Sequence, residues 1–491
     1  MPVPAERVRK LNAAPVRADR AFVLHWMTCT RRVGSNPALE RAVDLARELK
    51  RPVLVLEALR AGYPFASDRL HAFVMEGMAE NARRIRGRAL HLPYLERRAG
   101  EGKGLLEALA RDACAVVTDD FPTFFVPRML AAVAPRLDVA LEAVDGSCVV
   151  PFRLAGRDHP TAYAYRRFLQ RTLPAWIDRL PAEDPLARAP RPGRAAIPSD
   201  VLRRWPATDL ADLARPGRIL ADLPIDHGVA PCRRGGAAAG EARLAEFVER
   251  GLDAYAERRN DPDAEAASGL SPWLHFGHVG SFDVLRAVLR REGWTPRRLA
   301  PAANGARAGF WGLGAGAEAF LDQLLTWREL GFVTCAHRPD HRAYASLPEW
   351  ARTTLARHAR DRRPVRYGHD ALAAAATGDP IWNAAQRQLL REGVIHGYLR
   401  MLWGKKVLEW SASPEAALEV LLDLNDRYAL DGRDPNSVSG IFWCLGRYDR
   451  PWPERPIYGT VRSMSSERTA KKVALARWLA RFGEPSQASL R

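Results

Sequence analysis

Three clusters in the second half of the chain hold residue types from which a binding or redox site can be built. In AERRNDPDAEAASGLSPWLHFGHVGS (256–281), Ser268 and Ser271 flank Leu270 just before a proline that can open a helix. Hydroxyls and N–H groups at a helix N-terminus suit a phosphate, and the same pattern also reads as Ser271 simply N-capping a helix that starts at Pro272. In IWNAAQRQLLREGVIHGYLRMLWGKKVLEW (381–410), Arg400, Trp403 and Lys406 fall at i, i+3 and i+6, and Trp403 and Trp410 lie seven apart on one helical face. Two tryptophans so placed commonly pack a core. In LNDRYALDGRDPNSVSGIFWCLGRYDRPWPERPIYG (424–459), Asn425, Asp431, Arg433 and Asp434 accompany Trp443 among Gly and Pro, which suits an ion-paired turn or a binding wall.

The elements that must position these residues change character along the chain. Between about 21 and 150, short β-branched runs (21–26, 52–59, 89–95, 114–120, 139–145) alternate with helix-period stretches such as PALERAVDLARELK. This predicts a Rossmann-like, doubly wound α/β domain with a parallel sheet covered on both faces. The period fades over 151–200, where DPLARAPRPGRAAIPSD reads as a linker. From 201 to 491 the segments keep 3.6-residue spacing, which predicts an all-α domain able to enclose a large cofactor between its helices. GFWGLGAGAEAF (309–320) carries Gly312, Gly314 and Gly316 without a preceding strand, so it reads as a flexible loop and not a dinucleotide fingerprint.

Composition narrows the partners. Lys and Arg number 74 against 57 Asp and Glu, a net charge of +17 that favours a polyanion such as nucleic acid, although solvated surface accounts for such an excess equally well. The six cysteines form no CxxC pair and His275 and His396 stand isolated, so no metal or disulfide framework is expected. Without a long apolar run or an apolar leader, the expectation is a cytoplasmic protein that does not enter a membrane.

The strings YAERRNDP, LSPWLHFG, IWNAAQ, HGYLRMLWGKKVLEW, LDGRDPNSVSG and RYDRPWPERPIYG, with HWMTCTRRVGSNPAL and LPIDHGVAP upstream, are similar in order and spacing to segments of the class II cyclobutane pyrimidine dimer photolyases. The resemblance spans nearly the whole chain. It implies an antenna domain followed by a helical FAD domain, acting as a monomer on damaged DNA. Ser268, Leu270 and Ser271 resemble the family's FAD-holding segment, Arg400 and Asp431 its pair beside the isoalloxazine, and Asn425 the asparagine facing flavin N5. A guanidinium there stabilises negative charge on a reduced flavin, and the carboxylate keeps that cation paired. Trp403, Trp382 and Trp410 resemble its electron-carrying tryptophans, a role compatible with core packing. Met401, Tyr398, Trp443 and Trp327 match its dimer pocket, where aromatic faces hold a flipped lesion.

Departures from the pattern gather on the substrate side. The family's glutamate is Gln323 here, which donates a hydrogen bond but has no acidic proton. Its S-N-L-S-P asparagine is Gly269, and Ser463 and Thr469 replace an aromatic and a cysteine. The resemblance thus implies a repair enzyme in which light excites reduced FAD and an electron passes to the dimer and back. A photoreceptor that photoreduces FAD without repair is the alternative, and a light-independent flavoprotein a third. The antenna chromophore, a deazaflavin, a folate or none, is left open by the fold.

Overall fold

Apolar β-branched runs find burial on both faces only inside a covered parallel sheet, and five of them do so here. The computed structural model describes residues 2–484. Six strands, β1 (Val8–Lys10), β2 (Phe22–Met27), β3 (Val53–Leu59), β4 (Leu90–Leu95), β5 (Ala113–Asp119) and β6 (Leu141–Val144), form one sheet in the order β1-β6-β5-β2-β3-β4. β2 to β6 pair in parallel, and β1 joins β6 antiparallel, with Val8 opposite Val144. Sequence periodicity missed β1, because three residues carry no measurable alternation.

Helices cover the sheet, as the Rossmann-like reading requires. α1 (Pro37–Leu49) starts where the Asn36 side chain accepts from the N–H groups of Ala38 and Leu39. Its Leu39 and Val43 pack into a cluster with Val23, Val53, Val55 and Val117. α2 (Asp68–Ile85) buries Val74, Met75 and Met78 against Leu59, Leu95 and Leu220. The first compact unit takes in Met1–Ala155, Thr172–Ala245 and Leu270–Arg290, including most of α3 (Ser281–Arg291). A 3.6-residue period marks a helix without telling which core it joins.

The second unit, Gly156–Arg171, Glu246–Gly269 and Arg291 onward, is helical. One long helix runs as α4 (Ala315–Leu321), a π-helical stretch (Asp322–Trp327) and α5 (Arg328–His337). After it come α6 (Pro380–Glu392), α7 (Gly397–Trp410), α8 (Pro414–Tyr428) and α9 (Pro435–Cys444). Asp379, Ser413 and Asp434 cap α6, α8 and α9, each followed by a proline whose missing N–H costs nothing at that position. Trp382, Leu399, Val407, Leu421 and Phe442 lie at the centre of the core. The glycine-rich run corrects the loop reading in part. Gly312 is a loop residue at φ 65°, whereas Gly316 lies within α4, where an added Cβ would stand 1.9 Å from the Leu252 carbonyl oxygen.

Gly331 sets the separation of α5 and α9, since a Cβ there would meet the Pro435 carbonyl oxygen at 2.7 Å and Ser439 Oγ at 2.9 Å. Gly331→Ala gains about 1 kcal/mol of helix propensity but must push α9 aside, and overpacking costs about 1–3 kcal/mol. The variant is expected to lower the thermal midpoint, and Gly331→Val to lower it further, in a melt followed by far-UV circular dichroism.

Candidate active site

α7, α8 and α9 meet around a chain of alternating charged and polar groups. Arg400 on α7 donates through Nη2 to Asp431 Oδ1 at 2.8 Å and through Nη1 to Ser437 Oγ at 3.4 Å. Ser437 Oγ in turn donates to Asn425 Oδ1 at 3.0 Å, and Asn425 Nδ2 donates to Asp426 Oδ1 at 3.2 Å. Asp426 also accepts from the Arg433 N–H at 3.0 Å and from Arg342 Nη2 at 2.6 Å. Asp426 is fully buried and Asn425 nearly so. Every bond runs from donor to acceptor in one sense, so the Asn425 amide has one orientation.

The tryptophans form a second group in the same unit. Trp382 on α6 and Trp403 on α7 lie parallel, 6.4 Å apart between centroids and 6° between planes. Trp410 meets Trp382 edge-on at 5.5 Å. Trp382 Nε1 donates to the Trp403 carbonyl at 3.0 Å, and Trp403 Nε1 to Gln386 Oε1 at 2.9 Å, so both buried indole N–H groups are satisfied. All three rings are buried core residues. Lys406 Nζ stands 5.1 Å over the Trp410 ring, with Glu409 at 3.1 Å and Asp379 at 3.7 Å.

The expected pocket residues fall on three elements. Met401 and the helix that carries Trp443 come together, with Met401 Cε 3.9 Å from the Cβ position of Gly440. Trp443 is half-buried. Lys405 Nζ lies 5.1 Å from its ring and the Arg462 guanidinium 5.3 Å. Gln323 and Trp327, both half-buried, occupy the π-helical stretch, a local form that recurs at functional sites. α5, which continues that stretch, packs against α9, the helix of Trp443. Tyr398 lies under Lys472 Nζ at 5.4 Å.

Ser268 belongs to the second unit and Leu270 and Ser271 to the first. The capping reading of Ser271 fails: the helix is Ser271–His275, its N-cap is Leu270, and no side-chain capping bond forms. Gly269 adopts φ 66°. Glycine and asparagine are the residues that enter this left-handed region most readily, so exchanging one for the other leaves the backbone undisturbed.

Compared with known proteins, the chain matches no family model. It is 32% identical over 479 residues to a deoxyribodipyrimidine photo-lyase of Methanothermobacter thermautotrophicus, covering 97% of this chain and 98% of that protein. The chain belongs to the deoxyribodipyrimidine photo-lyase family. A photo-lyase of the same name from Oryza sativa is 32% identical over 90% of this chain and 84% of its own. In fold the chain resembles a bacterial class III photolyase from Agrobacterium tumefaciens, with TM-score 0.63 and 17% identity over 94% of this chain and 86% of that one. As in that fold, a mostly parallel sheet is joined to a helical part. Among the described residues, no helix is long and apolar enough to cross a membrane.

Within this photo-lyase scaffold, sequence reading missed Asp426, Ser437, Arg342 and Gln386. Three of them sit inside strings that carry the family resemblance or beside its residues: Asp426 follows Asn425, Ser437 is in LDGRDPNSVSG and Gln386 ends IWNAAQ. Arg342 arrives from a distant segment, and no local pattern marks it. Asp426→Asn removes the charge that answers Arg342, and breaking such a buried charge-assisted network costs about 2–4 kcal/mol. Urea unfolding is expected to shift its midpoint down accordingly, with Ser437→Ala shifting it less.

Proposed function

We propose that this chain is a light-driven repair enzyme that splits cyclobutane pyrimidine dimers in DNA, with FAD bound in its helical unit, and that it is of the class II type. The observation that carries the reading is that one helix, α7, holds Arg400, Met401 and Trp403 together, so that a cofactor site, a substrate wall and an electron route would share one rigid element. The class assignment rests on the ordered sequence segments alone.

The residues present fit FAD. Arg400 is largely buried with its carboxylate partner, at side-chain exposures of 16% and 10%, as a guanidinium serving a buried anion must be. One N–H of Asn425 is committed to Asp426 and one lone pair to Ser437, which leaves an amide of set orientation with capacity for a ligand. Arg342 Nη1 is buried without a hydrogen-bond partner, which a polar ligand would supply. Arg400, Asp431 and Asn425 would hold the ring system, with Ser268 of the same unit holding part of the remainder. Bound FAD supplies light absorption and a transferable electron. Arg400 and Asp431 then set the local charge, while Trp403, Trp382 and Trp410, in van der Waals succession, offer oxidisable rings.

On the substrate side Trp443, Met401, Tyr398 and Trp327 supply apolar and aromatic faces for an extruded lesion, and Gln323 a hydrogen-bond donor. The net charge of +17 suits the flanking phosphates. Gln323 also favours the second reading, a photoreceptor that reduces FAD without repairing DNA, because a carboxyl proton is lacking there. Gly269 points the same way, since the family's asparagine amide is lost there although the backbone conformation suits either residue.

Heat-released cofactor should chromatograph as FAD, and illumination with a reductant should reduce it. Trp403→Phe and Trp382→Phe should each slow that photoreduction at least tenfold; wild-type rates in both folded variants would leave the rings as core only. Affinity for dimer-containing over undamaged DNA should fall in Trp443→Ala by the ~1–3 kcal/mol of one lost stacking contact. Gln323→Glu should raise dimer splitting per photon. Absence of light-dependent splitting in wild type and Gln323→Glu alike would favour the photoreceptor.

A further inference from the structure

Lys405 is the anomaly of the second unit. Its side chain is fully buried, and its ammonium meets the Cys444 carbonyl oxygen at 2.6 Å and the Trp443 ring at 5.1 Å. Asp449 influences it only from beyond, being itself paired with Arg462 at 2.9 Å. Its neighbour Lys406 differs, lying over Trp410 with two carboxylates within 4 Å. Burying an ammonium without a close counterion is costly, and a methionine or leucine would fill such a space more cheaply. The cost must be offset by what the charge does at its two contacts.

Those contacts converge on one side chain. Cys444 directly follows Trp443, so Lys405 grips the backbone of α9 beside the indole as well as the face of the indole. Gly404 allows the approach: a Cβ there would meet Cys444 Sγ at 2.5 Å and force α7 and α9 apart. Arg462 lies over the same ring at 5.3 Å and over Trp452 at 4.0 Å, so two cations hold the half-buried indole. A ring fixed before binding loses less conformational freedom when a ligand stacks on it.

We propose that Lys405 is a positioning residue of the lesion pocket, whose ammonium holds Trp443 in the orientation that forms the pocket wall. The inference rests on the reading of Trp443 as that wall. It carries a pH signature. Burial pulls the Lys405 ammonium down to about 8. The groups facing it do not titrate in that region: burial pushes the Cys444 thiol up to about 11 and the Tyr458 phenol well above its ordinary value. Burial also works against the Asp449 carboxylate, but Arg462 and local N–H donors outweigh it and hold that group low. The Arg462 guanidinium and the Glu409 carboxylate complete the charged surroundings, the latter accepting from the Tyr458 hydroxyl at 3.1 Å. The sign for stability is opposite to that for binding. A lysine whose folded value is depressed opposes folding at low pH, and that penalty disappears as pH rises from about 8 towards the ordinary lysine value, while the hold on Trp443 is lost.

The test uses the full chain with FAD, in darkness, and a pair of oligonucleotides with and without one thymine dimer, read by fluorescence anisotropy from pH 7 to 9.5. The wild-type ratio of affinities is expected to fall as pH passes 8, within the roughly 2- to 30-fold that a cation–π contact supplies, while the thermal midpoint does not fall over the same range. Lys405→Met should show the reduced ratio already at pH 7 and no further change with pH. A folded Lys405→Met that keeps the wild-type ratio and its pH dependence overturns the inference. If that variant does not fold, the wild-type titration decides: a ratio above one that stays constant to pH 9.5 overturns it. A ratio of one at every pH sinks the reading of Trp443 as a lesion wall, and the inference with it.

Discussion

Asp426 is the group on which the polar interior of the helical unit depends. A carboxylate with no exposure is tolerable only if both of its oxygens are answered, and here a guanidinium answers one and a backbone N–H and an amide the other. The consequence spreads outward. With Asp426 accepting, Asn425 can only donate through Nδ2, so its oxygen faces Ser437, and Ser437 can then only accept from Arg400. One buried negative charge thereby dictates the direction of a four-residue hydrogen-bond chain, and the asparagine orientation follows from electrostatics instead of from packing.

For Trp382, Trp403 and Trp410, core packing and the proposed electron-carrying role draw on the same geometry. The rings of Trp382, Trp403 and Trp410 are as buried as any core residue, and their contacts are those that stabilise a helical bundle. The same contacts supply the edge-to-face and parallel succession that electron hopping needs. The indole N–H groups of Trp382 and Trp403 are satisfied internally, by the Trp403 carbonyl and by Gln386.

What the sequence made legible was type and sequence distance, and what it hid was convergence. Burial on both faces wrote β2 to β6 into the chain as largely apolar runs, and the 3.6-residue period marked the helices, while the one cap read from sequence, Ser271 before Pro272, did not form. β1 escaped because an edge strand of three residues has no pattern to detect. Arg400, Asp431 and Asn425 were legible through the family resemblance, whereas Arg342 joins them only through the fold, 84 residues away from Asp426 in sequence. Lys405 drew no reading of its own, since nothing in the spacing of Lys405 and Lys406 distinguishes the buried lysine from its neighbour.

The π-helical stretch Asp322–Trp327 holds one residue more per turn than the α-helices on either side. Its geometry is therefore stored as a count of residues and not as any particular side chain. Removing one residue there would let the stretch close into a plain α-helix, a change absorbed within the bulge, so that the helix on either side keeps nearly its present faces. Gln323 and Trp327, four apart, would become three apart and remain neighbours on one side of the helix, while the backbone displacement made by the extra residue would be lost. Relatives that differ here by a single-residue deletion would thus keep the same side chains on the same face but lose the local displacement that sets how far those side chains stand out, so that alignment length carries information at this position that residue identity does not.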